Sequence, residues 1–172
     1  MTAATYSVRE SLRDGRPIQI RALRPDDETE VLEAVDRTNP ESLRRRFFVT
    51  KRGFSQQEKS FFMHPDFVNH VALVGEIDEA GGPAIVGGGR YIVTQPGEAE
   101  VAFVVIDAYQ GQGIGRLLMK HLIALAKEKG LRALTADVLP ENAAMLRLFK
   151  DFGFRTVPQR DFSTVHLVSE LR

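Results

Sequence analysis

One stretch decides most of what this chain can fold into. In AEVAFVVIDAYQGQGIGRLLMK, residues 99–120, a strand-like alternation runs into a glycine cluster and comes out as a helical pattern. At such a junction the first amide groups of the helix have no carbonyl partners within it and point outward as donors. The helix dipole adds roughly half a positive charge there. Glycines let the main chain approach a bulky anion without a Cβ in the way. Gln110, Gly111, Gln112, Gly113, Ile114, Gly115 and Arg116 occupy the junction. A phosphate or diphosphate is the natural occupant, and a plain tight turn is the competing use of the same glycines.

The spacing excludes two familiar phosphate loops. A dinucleotide fold needs G-x-G-x-x-G, and here the third glycine comes one residue early. A P-loop needs Lys and then Ser or Thr after its last glycine, whereas Arg116 and Leu117 follow Gly115. What remains is Q-x-x-G-x-G between a strand and a helix.

The rest of the chain sets this junction in a mixed sheet. PIQIRAL (17–23) reads as a first strand, with a helix after it in RPDDETEVLEAVDRT. NPESLRRRFF and FSQQEKSFFMH read as two further helices, with Asn39 or Ser42 and then Ser55 as caps. VNHVALVGEI and AIVGGGRYIVT flank the turn residues DEAGGP as a hairpin, in which Gly87, Gly88 and Gly89 mark a bulge. EVAFVVID is the fourth strand. A helix from about Gly113 to Lys129 precedes a fifth strand in LRALTADVL. A helix opened by Asn142 and stopped at Gly153 follows, then two closing strands in FRTVPQR and TVHLVSEL. Seven strands and their helices make one α/β domain over residues 1–172.

Composition narrows the chemistry. The chain has 172 residues and no cysteine, which removes disulfides and any thiolate nucleophile and points to a reducing, cytoplasmic setting. Acids and bases number 23 each, so there is no global pull toward nucleic acid or an anionic membrane. No apolar run is long enough to span a bilayer, and the opening MTAATYSVRESLRDG lacks the core of a secretory signal. His64, His70 and His166 show no metal-ligand spacing, and His121 falls on the apolar stripe of its helix as a packed core histidine.

The Q-x-x-G-x-G turn, the hairpin before it and the NAAMLRLFKDFGF block after it resemble the GNAT acetyltransferase superfamily in the order that superfamily uses. The resemblance covers nearly the whole chain. It implies a mixed, mostly antiparallel seven-stranded sheet, flanked by helices and splayed between strands four and five. It implies acetyl-CoA as the acyl donor, with Gln110 to Arg116 around the diphosphate. Phe103, Val104 and Val105 would pair their main chain with the pantetheine arm, and Asn142 would bond that arm as well as cap its helix.

By the same matching, Glu100 at the start of the fourth strand is the general base, with Glu98 as its possible substitute. An outward polar residue in an alternating strand is the alternative role for Glu100. Many relatives carry a tyrosine acid where this chain has Phe149, which donates no proton; Tyr109 or water takes that part, or the thiolate leaves unassisted, and no acid is assigned.

SVRESLRDGRPIQIRALRPDDE, NPESLRRRFF and NAAML are similar to segments of bacterial Pat-type protein-lysine acetyltransferases. The acceptor this implies is a lysine on another protein, such as an AMP-forming acyl-CoA synthetase. The alternatives are a small-molecule amine or amino-acid acetyltransferase and, in another class, a non-catalytic acyl-CoA sensor.

Overall fold

The computed structural model describes residues 3–36, 56–158 and 163–171. Its strands are β1 (Ser7–Ser11), β2 (Pro17–Ala22), β3 (His70–Glu79), β4 (Gly82–Gln95), β5 (Glu98–Val105), β6 (Ala133–Val138), β7 (Arg155–Val157) and β8 (Val165–Glu170). Its helices are α1 (Glu28–Asp36), α2 (Gln56–Met63), α3 (Ile114–Glu128) and α4 (Ala143–Asp151). The strands form one sheet in the order β1-β2-β3-β4-β5-β6-β8-β7. Among the described residues only the β5–β6 pair is parallel; the other neighbours are antiparallel.

Seven strands were expected and the sheet has eight. The addition is β1, which pairs with β2 from Ser7–Arg21 to Ser11–Pro17. Its sequence, SVRES, alternates only between exposed and half-buried positions because it lies at a sheet edge, so it carries no apolar signature. The Asp14-Gly15 pair that turns the chain is nevertheless a hairpin signal. The predicted helix in NPESLRRRFF, with its caps, lies outside the described residues, as does Ser55.

Helix α3 forms because Ile114, Leu118, Leu122 and Leu125 recur at helical spacing, and all four are buried against one face of the sheet. Full burial of such a side chain contributes about 1.5–3 kcal/mol. The stripe meets Ile18, Ile20, Val71, Leu73, Val101 and Phe103 in the main core. On the opposite face Leu23, Met63, Ala72, Val74 and Ile85 make a smaller cluster, with Val31 and Ala34 of α1 packed on it. Buried Arg21 lies between Asp27, at 2.8 Å, and Glu76, at 2.9 Å.

The triple glycine adjoins a bulge and makes room for close packing. Pairing of β4 with β3 shifts register between Gly75–Gly87 and Glu76–Ile85, leaving Val86 as the extra residue of a bulge. A Cβ on Gly87 would come within 3.1 Å of Ile114 Cγ2, and one on Gly89 within 2.7 Å of the Phe103 ring. The small residues therefore let α3 and Phe103 lie close to β4.

The hairpin β1–β2 is tied to α3 by polar contacts. His121, as expected from its stripe, is buried and hydrogen-bonded, with Nε2 2.6 Å from Glu10 and Nδ1 receiving the Tyr6 hydroxyl. Lys120 Nζ donates to the same Glu10 oxygen at 2.8 Å, and this bond holds the Glu10 carboxyl below its ordinary range. Among the described residues no helix is long and apolar enough to cross a membrane.

Candidate functional site

Strands β5 and β6 pair only at Glu98–Ala133, Ala99–Leu134 and Glu100–Thr135. β6 pairs with β8 on its other edge from Ala133 to Val138, while beyond Glu100 β5 continues along β4 as far as Val105. The two strands part there, and the β5 main chain from Val101 onward has no β6 partner. This is the splay expected between predicted strands four and five.

An open cleft of about 220 Å³ fills the gap. One wall is Phe103, Val104 and Val105, and the facing wall is Asn142, Met145 and Leu148 at the start of α4. Gln110, Gly111, Gly113, Ile114 and Gly115 close the end. Phe103 is fully buried against Phe149, with ring centroids 5.9 Å apart, so that wall is firmly seated.

The closing loop is shaped by a turn and two left-handed glycines. The 3-10 turn Asp107–Tyr109 follows β5, and Gln110 Nε2 donates back to the Val105 carbonyl at 3.1 Å. Gly111 and Gly113 adopt φ of 83° and 91°, a region that side chains disfavour. Gly113 is the N-cap of α3 with no side-chain cap, and the first bond across it runs from Leu117 N to Gly113 O at 3.1 Å. The amides of the first turn are thus left as donors, and the would-be Cβ of Gly111 meets nothing within 4 Å. This arrangement fits a diphosphate.

Two residues of the predicted loop do not line the cleft. Arg116 forms an ion pair with Asp151, and the carbonyl of Gln112 accepts the backbone N–H of Arg13 at 3.4 Å. The loop is braced by a residue that the sequence reading did not single out. Arg13, in the β1–β2 turn, sends a guanidinium N–H to the Gly111 carbonyl at 3.3 Å. Its signal was the Asp-Gly turn beside it, which marks a hairpin but not where the hairpin lands.

Asn142 caps α4 by accepting the Met145 N–H at 3.3 Å while also lining the cleft, so both roles foreseen for it are geometrically compatible. Glu100 is exposed on the face of β5 opposite Val101 and Phe103, in the last β5–β6 pair. Glu98 accepts a hydrogen bond from Gln95 Nε2 at 2.9 Å. Tyr109 donates its hydroxyl to Glu79 at 2.6 Å, and burial and this carboxylate push its phenol above the ordinary value. Tyr109 also lines the cleft.

The cleft is continuous in its lining with a small cavity of about 10 Å³, bounded by Val101, Phe103, Asn142 and Phe149 and, on β6, by Asp137. Asp137 Oδ1 accepts from His166 Nδ1 at 2.9 Å and from Thr164 Oγ1 at 3.4 Å. No sequence spacing announces this pair, because its members lie 29 residues apart and meet only through β6–β8 pairing.

Comparison with known proteins agrees with this geometry. The model of the acetyltransferase (GNAT) family matches residues 31–154. The chain is 34% identical over 153 residues to an acetyltransferase of Pseudomonas aeruginosa, covering 88% of this chain and 81% of that protein. It is 31% identical over 144 residues to the acetyltransferase Pat of Mycolicibacterium smegmatis, covering 83% of this chain but only 42% of Pat. In three dimensions it is similar to the GNAT domain of S. lividans PAT, with a TM-score of 0.87 and 32% identity over 96% of this chain and 97% of that domain.

Proposed function

The chain belongs to the GNAT acetyltransferase family, and we propose that it transfers acetyl from acetyl-CoA directly to a lysine side chain of another protein. The observation that supports the donor is the cleft running from the uncapped mouth of α3 along the unpaired edge of β5. The acceptor class is inferred from likeness to the S. lividans PAT domain over nearly the whole chain. An AMP-forming acyl-CoA synthetase is the specific protein partner proposed.

Acetyl-CoA, when bound, supplies the acetyl group as an activated thioester. The amides at Gly113 to Arg116 would hold its diphosphate, and the main chain of Phe103, Val104 and Val105 would pair with its pantetheine arm as an added strand. Asn142 is assigned a further polar contact to that arm. Because the chain has no cysteine, the amine attacks the thioester directly, and holding both reactants in place supplies much of the acceleration.

A lysine ammonium must first lose a proton, which at pH 7 costs roughly 4–5 kcal/mol. Glu100 is assigned as the group that takes it, directly or through a water. Replacing Glu100 by Gln or Ala is expected to lower kcat by about 10²–10⁴ while leaving acetyl-CoA affinity unchanged in calorimetry. Wild-type turnover in that variant at saturating substrate removes the assignment. A panel that pairs an acyl-CoA synthetase with aminoglycosides, polyamines and free amino acids tests the acceptor. Transfer to the small amines alone would overturn the protein-lysine reading.

A further inference from the structure

A glycine-rich loop turns its peptides over easily, so a loop that presents amides to an anion needs something to fix which way each peptide faces. Residues 110–113 belong to no helix or strand, and Gly111 and Gly113 both lie in the left-handed region. What stands against this segment is the turn of the β1–β2 hairpin.

One residue of that turn takes two successive carbonyls of the loop. The Arg13 guanidinium donates to the Gly111 carbonyl at 3.3 Å, and the Arg13 backbone N–H donates to the Gln112 carbonyl at 3.4 Å. A trans peptide sets its C=O and N–H on opposite sides. The Gly111 carbonyl shares a peptide with the Gln112 N–H, and the Gln112 carbonyl shares one with the Gly113 N–H. With both carbonyls drawn to Arg13, both N–H groups face away from it. Gly111 and Gly113 line the cleft whereas Arg13 does not, so the two N–H groups are presented on the cleft side. Among the described residues neither donates to a backbone carbonyl.

Arg13 can hold the loop because its own turn is fixed at several points. Leu12 is buried in the main core, its N–H donates to the Arg16 carbonyl at 2.8 Å, and its carbonyl accepts the Gly15 N–H at 2.9 Å. The Arg16 guanidinium lies over the Tyr109 ring, 5.3 Å from its centroid, just before the loop. On the other side of Leu12, Glu10 is bonded to Lys120 and His121 of α3.

Resting on the acetyltransferase reading above, we propose that Arg13 is a positioning residue for the acyl donor. It sets the Gly111–Gln112 and Gln112–Gly113 peptides so that their two amides join those of the first turn of α3 around the anionic diphosphate. Arg13 stands behind the loop and acts through it. The edge strand that carried no apolar signature thereby serves the donor site, because β1 and its turn bring Arg13 to the loop.

The test needs no acceptor. Isotope-labelled wild type and Arg13→Ala are titrated with acetyl-CoA and with S-acetylpantetheine, which has the thioester arm but no diphosphate, and amide resonances report both Kd and the groups engaged. Arg13 is exposed, so the variant is expected to fold, and thermal unfolding checks that it does. In the variant the Kd for acetyl-CoA is expected to rise on the order of 10-fold, the weight of about one hydrogen bond to a charged group, with a smaller rise for S-acetylpantetheine. The shifts that acetyl-CoA induces at the Gln112 and Gly113 amides should shrink, while those at Gly115 and Arg116 persist. A general loosening of the fold predicts equal losses for the two donors, and that result overturns the proposal, as does a wild-type Kd for acetyl-CoA in the variant. A deficit that vanishes in high salt also overturns it, because Arg13 would then act as a distant charge and not by holding peptides. Should Arg13→Ala unfold, Arg13→Gln is judged by the same criteria. A wild-type protein that binds neither donor overturns the acetyltransferase reading itself.

Discussion

Gly113 concentrates in one residue the demands that the cofactor loop makes on the chain. With φ at 91° it caps α3 without a side chain, and its would-be Cβ points at Arg13, 3.5 Å from Nε. The space is ordinary, so what an alanine meets there is conformational strain of about 1–2 kcal/mol. The loop can relieve that strain only by moving the amides that face the cleft. Gly113→Ala is therefore expected to lower Tm by several degrees and to weaken acetyl-CoA binding in calorimetry. A variant with wild-type Tm and Kd would show that the left-handed turn has no part in holding the donor. Arg116 illustrates the opposite case, because its position in the motif says nothing of its pairing with Asp151.

At the scale of elements, the packing of α3 and β5 onto β4 depends on missing side chains. An alanine at Gly89 would press on two atoms of the Phe103 ring, at 2.7 and 2.9 Å, and on Leu122 Cδ1 at 3.1 Å. A ring locked against Phe149 has no flexible end to move aside. Overpacking of this kind costs about 1–3 kcal/mol. Gly89→Ala should therefore reduce the midpoint of thermal or urea unfolding and, by displacing Phe103, weaken acetyl-CoA binding. An unchanged midpoint would mean that the helix and sheet have slack. The sequence made the glycine cluster at residues 87–89 visible, and with it the bulge, but not what packs on it. The same division holds elsewhere. The strand, loop and helix from Glu98 to Glu128 were legible because each is a local pattern, and so was the cap at Asn142. Strand β1 was not, because an edge strand with polar residues on both faces has no apolar period. The landing of Arg13 on the loop and the meeting of Asp137 with His166 were not legible either, since both are products of sheet order rather than of spacing.

Across the whole molecule the two faces of the sheet are held differently, and this has a consequence for pH. The α3 face has an apolar core with the Glu10–His121 cluster at its β1 edge, whereas the opposite face holds charged groups, among them Arg21, Asp27 and Glu76 near one edge and Arg90 with His70 nearer the centre. Arg90 donates to the Phe62 carbonyl at 3.1 Å and lies 2.9 Å from His70 Nε2, while the His70 ring stacks on Phe61 with centroids 4.7 Å apart. Since the guanidinium can only donate, Nε2 must accept, and a protonated His70 would set a second N–H against a cation. Burial first, and then Arg90, lower the His70 pKa to about 4, with Asp66 opposing them. An unfolded histidine titrates near 6.5, so between roughly pH 4 and 6.5 the unfolded chain holds a proton that the folded one does not. Stability must then rise with pH across that window and fall on acidification through it. From pH 7 to pH 5 the loss from this group alone is about 2 kcal/mol, at roughly 1.4 kcal/mol per pH unit below 6.5. Urea unfolding of the wild type at the two pH values should show it, and His70→Gln, which keeps an acceptor for Arg90 but cannot titrate, should remove most of it. Glu10, held below its ordinary range by Lys120, adds its own loss only at lower pH, as its carboxylate protonates. An equal pH dependence in wild type and variant would mean that His70 leaves its contact with Arg90 and takes up the proton before the fold gives way.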